Sequence, residues 1–128
     1  MELIKLSDGS RASVYKTINS QTATGADVVS RINLAAEASG LELLHNMVAE
    51  DILKGVDELI KKTGISDTEI SRICFSGNTA MTYILVGTGT ECLASYPFKT
   101  KKIMYHGEDV SDILGHSRTG GVSLFGIP

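Results

Sequence analysis

Ser76-Gly77-Asn78-Thr79 holds the polar groups best placed for chemistry in this 128-residue chain. The four residues stand between two apolar runs, residues 73–75 and 80–86, and Gly87 follows the second. The pattern reads as a strand, a tight turn at Ser76-Gly77-Asn78 and a helix. The first N–H groups of a helix lack partners and carry partial positive charge, so such a turn suits an anion or a polar ligand. Asn78 is of a type that caps helix N-termini, and Gly77 permits a sharp turn or the close approach of a ligand. From spacing alone an ordinary strand-to-helix turn of an α/β domain is the favoured reading.

No other stretch supplies a catalytic set. There is no G-x-x-x-x-G-K-[ST], G-x-G-x-x-G or G-x-S-x-G pattern. Gly87-Thr88-Gly89 follows a helix instead of a strand, which is the wrong context for a phosphate loop. His45, His106 and His116 are scattered, and the neighbours Glu108 and Asp109 need not face each other. His45, inside a helical stretch without a second ligand one turn away, reads as a structural or surface residue and not as a metal ligand. Cys74 and Cys92 form no C-x-x-C. An iron–sulfur cluster needs about four ligands, so this chain alone cannot hold one. Cys74 lies in an apolar run and is expected to be buried, with Cys92 in a polar loop. Two unpaired thiols fit a reduced, cytoplasmic setting. A net charge of −3 argues against a nucleic-acid groove or a membrane-surface patch. Lys99, Lys101 and Lys102 read as a solvated face. No apolar stretch approaches the length of a membrane span, and the N-terminus does not read as a signal peptide.

The elements that must position the turn can be read from periodicity. Residues 2–6 and 11–18 are extended candidates around Ser7-Asp8-Gly9-Ser10, a hairpin signal. Residues 19–25 form a polar loop. Helical spacing starts at Ala26 and is broken by Gly40. The longest helix spans about residues 41–63, with Leu41, Leu44, Val48, Ile52, Val56 and Leu59 on one face. Asp51, Asp57 and Glu58 belong to its wet side. Gly64 is placed to terminate it. Ser66 and Glu69 have capping-box spacing. Beyond Gly87, residues 99–105 read as a strand, 106–109 as a polar segment, and Val110, Ile113 and Leu114 as a short helical face. Residues 115–120 read as a loop and 121–125 as a last strand. The order implies an α/β layered unit, its sheet made mixed by the hairpin.

Two blocks resemble one family. NSQTATGADVVSRI, residues 19–32, resembles N-x-Q-x-x-x-GADV-[IV]-SRI. FSGNTAMTYILVG, residues 75–87, resembles AGNT-[TA]-M-x-x-[IL]-[IL]-x-G, and LASYPF at 93–98 resembles the segment that follows. The family is the ATP-dependent reductive activators of corrinoid proteins, including the activator of the corrinoid iron–sulfur protein. The resemblance implies a large domain with the fold shared by acetate and sugar kinases, heat-shock ATPases and actin, joined to a ferredoxin-type domain. It implies ATP with Mg and a 2Fe-2S cluster as cofactors of the parent protein, none of them held by this chain alone. It further implies a corrinoid protein as partner, with cobalt returned from Co(II) to Co(I).

On this resemblance the fold class is α/β, a mixed sheet with flanking helices. It is a partial ribonuclease H-like subdomain of the actin-like ATPase fold, one partial domain over residues 1–128. The first strand with its D-x-G-T-T motif and the second subdomain are missing from it. Gly77, Asn78 and Thr79 would form a cleft-facing turn. Asp27 and Arg31 match the family pattern and would either brace the preceding loop as an ion pair or face a partner. An edge left open by the missing strand allows a homodimer by non-native pairing. Two alternatives stay open: a non-catalytic interaction or dimerisation module, and a fragment of a sugar or acyl-phosphate kinase. With the phosphate loops absent, the 128-residue chain is expected not to hydrolyse ATP. Phosphate release from the purified chain at the no-protein background is the expected result; robust turnover would overturn it.

Overall fold

A computed structural model of the chain describes residues 1–25, 27–102, 104–115 and 121–127, the last of these by backbone alone. The expected helix start at Ala26 and most of the expected 115–120 loop, with His116, lie outside the described residues.

Strands β1 (Glu2–Ile4) and β2 (Arg11–Val14) form an antiparallel hairpin, with Leu3 opposite Ser13. Gly9 takes a positive φ in its turn, as the Asp-Gly signal requires. Helices α1 (Val28–Ala35) and α2 (Ala38–Thr63) follow. Then come β3 (Arg72–Asn78), α3 (Thr79–Leu85), α4 (Glu91–Ala94), β4 (Met104–Asp109), α5 (Val110–Leu114) and β5 (Gly121–Ile127). β5 lies in the middle of a second sheet, parallel to β3 and antiparallel to β4. The fold is mixed α/β as expected, but the mixing comes from β4 and not from the hairpin. The hairpin forms a separate two-stranded sheet.

Helix α2 is the common support. Leu44, Ala49, Ile52, Val56 and Leu59 are buried along its inner face, in line with the i+3/i+4 pattern. Its lower half packs with Leu85, Ile113 and Leu114, and its upper half with Ala35 and Ile84. Gly64 ends it in the left-handed conformation with its N–H on the Ile60 carbonyl. Ser66 and Glu69 close the expected capping box at a single 3-10 turn.

Gly40 does not break the chain. It is the third residue of α2 and is buried. The break falls at Ala36-Glu37, and a Cβ on Gly40 would overlap the Leu34 carbonyl oxygen. Glycine here lets the end of α1 cross tightly over the start of α2. Of the expected wet face only Asp57 is exposed: Glu58 is half-buried and pairs with Lys61 at 2.9 Å, and Asp51 is half-buried and accepts the Ser20 N–H at 2.9 Å. The polar residues 106–109 are strand, because β4 pairs with β5 through them with a register shift between His106 and Glu108.

Cys74 is exposed rather than buried. Side chains alternate along β3: Ile73 and Phe75 pack on the core while Arg72, Cys74 and Ser76 point the other way. A continuous apolar run suggests a strand covered on both faces, and only one face of β3 is covered here. Cys92 is half-buried on α4 and not in a loop. Between the hairpin and β3 lies an open groove of about 660 Å³, flanked by Leu3, Ile4 and Leu6 on one side and Ile65, Ile70 and Cys74 on the other.

The Gly40 crossing yields a direct test. Gly40→Ala should destabilise the chain by about 1–3 kcal/mol, the range for overpacking, although alanine is the better helix former. Denaturant unfolding of the two proteins measures it. Unchanged or increased stability would show that the crossing relaxes freely.

Candidate functional site

The turn at residues 76–79 is sharper than the sequence implies. β3 runs unbroken through Ser76 and Gly77, and α3 starts directly after Asn78. Asn78 is therefore both the last strand residue and the helix N-cap. Its Oδ1 accepts the Met81 N–H at 2.9 Å, and its carbonyl accepts the Thr82 hydroxyl at 3.1 Å. Asn78 is exposed, while Gly77 and Thr79 are half-buried. A Cβ on Gly77 would meet only Met81 Cβ, at an ordinary 3.6 Å. Packing within the chain therefore does not demand glycine there; the absent side chain leaves the backbone open to approach.

Beside the turn is a hollow of about 200 Å³ lined by Val48, Ile52, Phe75 and Leu85, with Ser76 and Thr82 as polar side chains. Among the described residues no charged side chain lines it. Such a surface does not stabilise a phosphate, and α3, at seven residues, is a short dipole. Among the described residues no group of three or more His, Cys, Asp or Glu could hold a metal. The described lining of this hollow thus offers a nucleotide phosphate no charged contact. Two cysteines on different elements do not fit an iron–sulfur cluster either. No helix among the described residues is long and apolar enough to cross a membrane.

The second motif block packs against the first. Asp27 and Arg31 do not pair through their charges. Asp27 caps α1, accepting the Ser30 N–H at 2.9 Å and the Ser30 hydroxyl at 2.7 Å. Those bonds, the hydroxyl first, hold its carboxyl below the ordinary aspartate range. Arg31 Nε donates to the Gly25 carbonyl at 3.0 Å, and its Nη1 lies 3.7 Å from Met81 Sδ. Arg31 therefore ties the 19–25 loop to the first turn of α3, one residue set away from Asn78. Arg31 thus braces the loop through the Gly25 carbonyl and not through an ion pair, while Asp27 is bonded to Ser30.

Periodicity gives no hint of the residues that secure this arrangement. Gln21 is fully buried and donates from Nε2 to the Leu44 carbonyl at 2.7 Å. Its N–H is accepted by Asn19 Oδ1 at 2.9 Å. Thr90, also fully buried, donates to the Ile32 carbonyl at 2.6 Å. Tyr83 has its hydroxyl on the Lys101 N–H, and burial raises its pKa above the ordinary phenol range. The N-x-Q match was the one signal for Gln21. His45 is structural as read: its Nδ1–H faces the Ile84 carbonyl at 3.2 Å.

The Asp27 cap sets a pH dependence. Its folded pKa lies below the unfolded value, so ionisation contributes stability that is present above the unfolded pKa and lost as pH falls through the folded one. Asp27→Ala should lower Tm at pH 7, and the gap from wild type should narrow on acidification to below the ordinary aspartate pKa. A gap that is constant across this range would remove the charge from the account. Thermal melts of both proteins from pH 7 downwards measure it.

Comparison with known proteins places this geometry. The corrinoid activation enzyme RamQ of Eubacterium limosum is 26% identical over 97 residues, covering 75% of this chain and 16% of RamQ. A solved structure described as a reductive activator for corrinoid, iron-sulfur protein superposes with a TM-score of 0.86 at 23% identity. It covers 99% of this chain and 20% of that one, and at this identity the likeness shows the fold. The chain thus spans about a sixth to a fifth of the length of these relatives. A family model described as the RACo middle region matches residues 1–121, from the hairpin through both motif blocks to the start of β5, and the chain belongs to that family.

Proposed function

We propose that this chain is part of an ATP-dependent reductive activator of corrinoid proteins. In this reading the intact activator returns Co(II) corrinoid to Co(I), with electrons from a 2Fe-2S cluster held outside these residues. The observation that carries it is the family match over residues 1–121. The names of RamQ and of the solved reductive activator point the same way. The presence of two cysteines, too few for a cluster, supports placing the redox centre elsewhere.

The chain's own part is to build one wall of an ATP cleft. The uncharged hollow beside Asn78 supports assigning the phosphate and metal contacts to segments outside it. The open groove between β1 and β3 supports a further strand of an actin-like, ribonuclease H-like subdomain lying there. ATP, when bound, supplies the free energy for uphill electron transfer. This chain's residues supply position: Asn78 fixes the first turn of α3, Gly77 keeps the backbone approachable, and Arg31 locks that turn to the 19–25 loop.

The test uses the intact activator, its corrinoid protein and a chemical reductant, with loss of the Co(II) absorbance as readout. Reduction should require ATP; an equal rate without ATP overturns the reading. Asn78→Ala should cost about 1 kcal/mol of stability through the lost cap, and Asn78→Ser should retain most of it. Both should slow ATP-driven reduction tenfold or so if Asn78 faces the cleft, about 1.4 kcal/mol in the barrier. If Asn78→Ser reduces at the wild-type rate, the turn serves folding alone.

A further inference from the structure

Residues 95–102, between α4 and β4, present two aromatic rings to solvent. Tyr96 is 87% and Phe98 60% exposed. Tyr15, Phe75, Tyr83 and Tyr105, by contrast, are buried or half-buried. The two exposed rings meet edge to face, with centroids 6.2 Å apart and an interplanar angle of 88°. They support each other and not the core.

The segment carrying them is held from below. Phe98 N–H bonds back to the Ser95 carbonyl at 2.9 Å, and Lys101 N–H bonds to the hydroxyl of the fully buried Tyr83. Phe98 adopts φ 51°. A bulky residue keeps that conformation only where its surroundings hold it. The rings are thus presented on a fixed platform, which reduces the entropy lost when a partner covers them.

Charge at this place runs against the chain as a whole. Residues 95–105 contain three lysines and no Asp or Glu, in a protein of net charge −3. Lys102 pairs with Glu108 at 3.1 Å and lies over the Tyr105 ring. Lys99 and Lys101 are exposed and have no carboxylate partner among the described residues. Rigid aromatic anchors beside a charged rim are the composition of a protein interface: the rings supply affinity, and the rim supplies steering and orientation.

We propose that Tyr96 and Phe98, rimmed by Lys99 and Lys101, form a docking surface for an acidic face of the corrinoid protein. The inference rests on the activator reading above and names the surface that reading leaves open. The two rings enter an apolar depression on the partner, and its carboxylates lie against the two lysines.

The experiment titrates the intact activator with its purified corrinoid protein at low and high salt, alongside thermal melts and partner-free ATP hydrolysis. Tyr96→Ala with Phe98→Ala should weaken Kd about 30-fold or more. Lys99→Glu with Lys101→Glu should slow association about tenfold at low salt and flatten its salt dependence. Both double variants should keep the wild-type Tm and partner-free hydrolysis. Wild-type affinity in both pairs overturns the proposal. A lowered Tm with unchanged affinity also overturns it, because the rings then pack against the activator's own remaining chain. The lysine pair, being fully on the surface, keeps the test open if the aromatic pair misfolds. A wild-type activator that neither binds nor reduces the corrinoid protein removes the underlying reading instead.

Discussion

Helix α2 cannot be covered by any one neighbour. Its apolar face runs from Leu44 to Leu59, and the length of a 26-residue helix exceeds that of every other element. Two clusters therefore share it, one with α1 and α3 and one with α3, α5 and β3. The hairpin adds a third contact near Gly55, where a Cβ would overlap Met1 Sδ and press on Tyr15. Burial of apolar area is the main favourable term in folding, so the need to cover this one stripe sets where every other element lies. The close crossings at Gly40 and Gly55 are the two points at which it is met by backbone proximity.

The two motif blocks are read as sites because they are polar and patterned, but most of their polar groups are spent on the fold. Asn19, Gln21 and Thr24 bond within the loop or to the Leu44 carbonyl on α2. Asp27 and Asn78 cap helices, and Arg31 is divided between a loop carbonyl and Met81. Buried polar groups must be bonded, at a cost of several kcal/mol where they are not. A loop that packs against a helix therefore needs residues of this kind whether or not it binds anything. What distinguishes the Asn78 turn is its surroundings: an exposed N-cap, an approachable Gly77 and an uncharged hollow.

The hollow beside Asn78 has an uncharged lining among the described residues. Phosphoryl chemistry depends on positioning and on charge directed at the transferring group. Neither a metal cluster nor a charged lining is present among the described residues. The groove beside β3 is open, and the face of β3 bearing Cys74 is exposed.

The sequence by itself determined what depends on near neighbours. The hairpin at Asp8-Gly9, the stripe and the Gly64 stop of α2, the Ser66–Glu69 capping box and the Asn78 cap all follow from interactions within a few residues. The motif blocks were also legible there, as was the family. Tertiary structure decided which face of each element met another. Periodicity cannot tell whether a strand is covered on one side or two, so Cys74 was placed inside and is outside. Nor could it show that Gly40 serves a crossing, that the hairpin forms its own sheet, or that Arg31 meets Met81 across fifty positions. Local hydrogen bonding and side-chain spacing are written along the chain. Burial is a property of surfaces brought together from distant segments, and it exists only once the chain has folded.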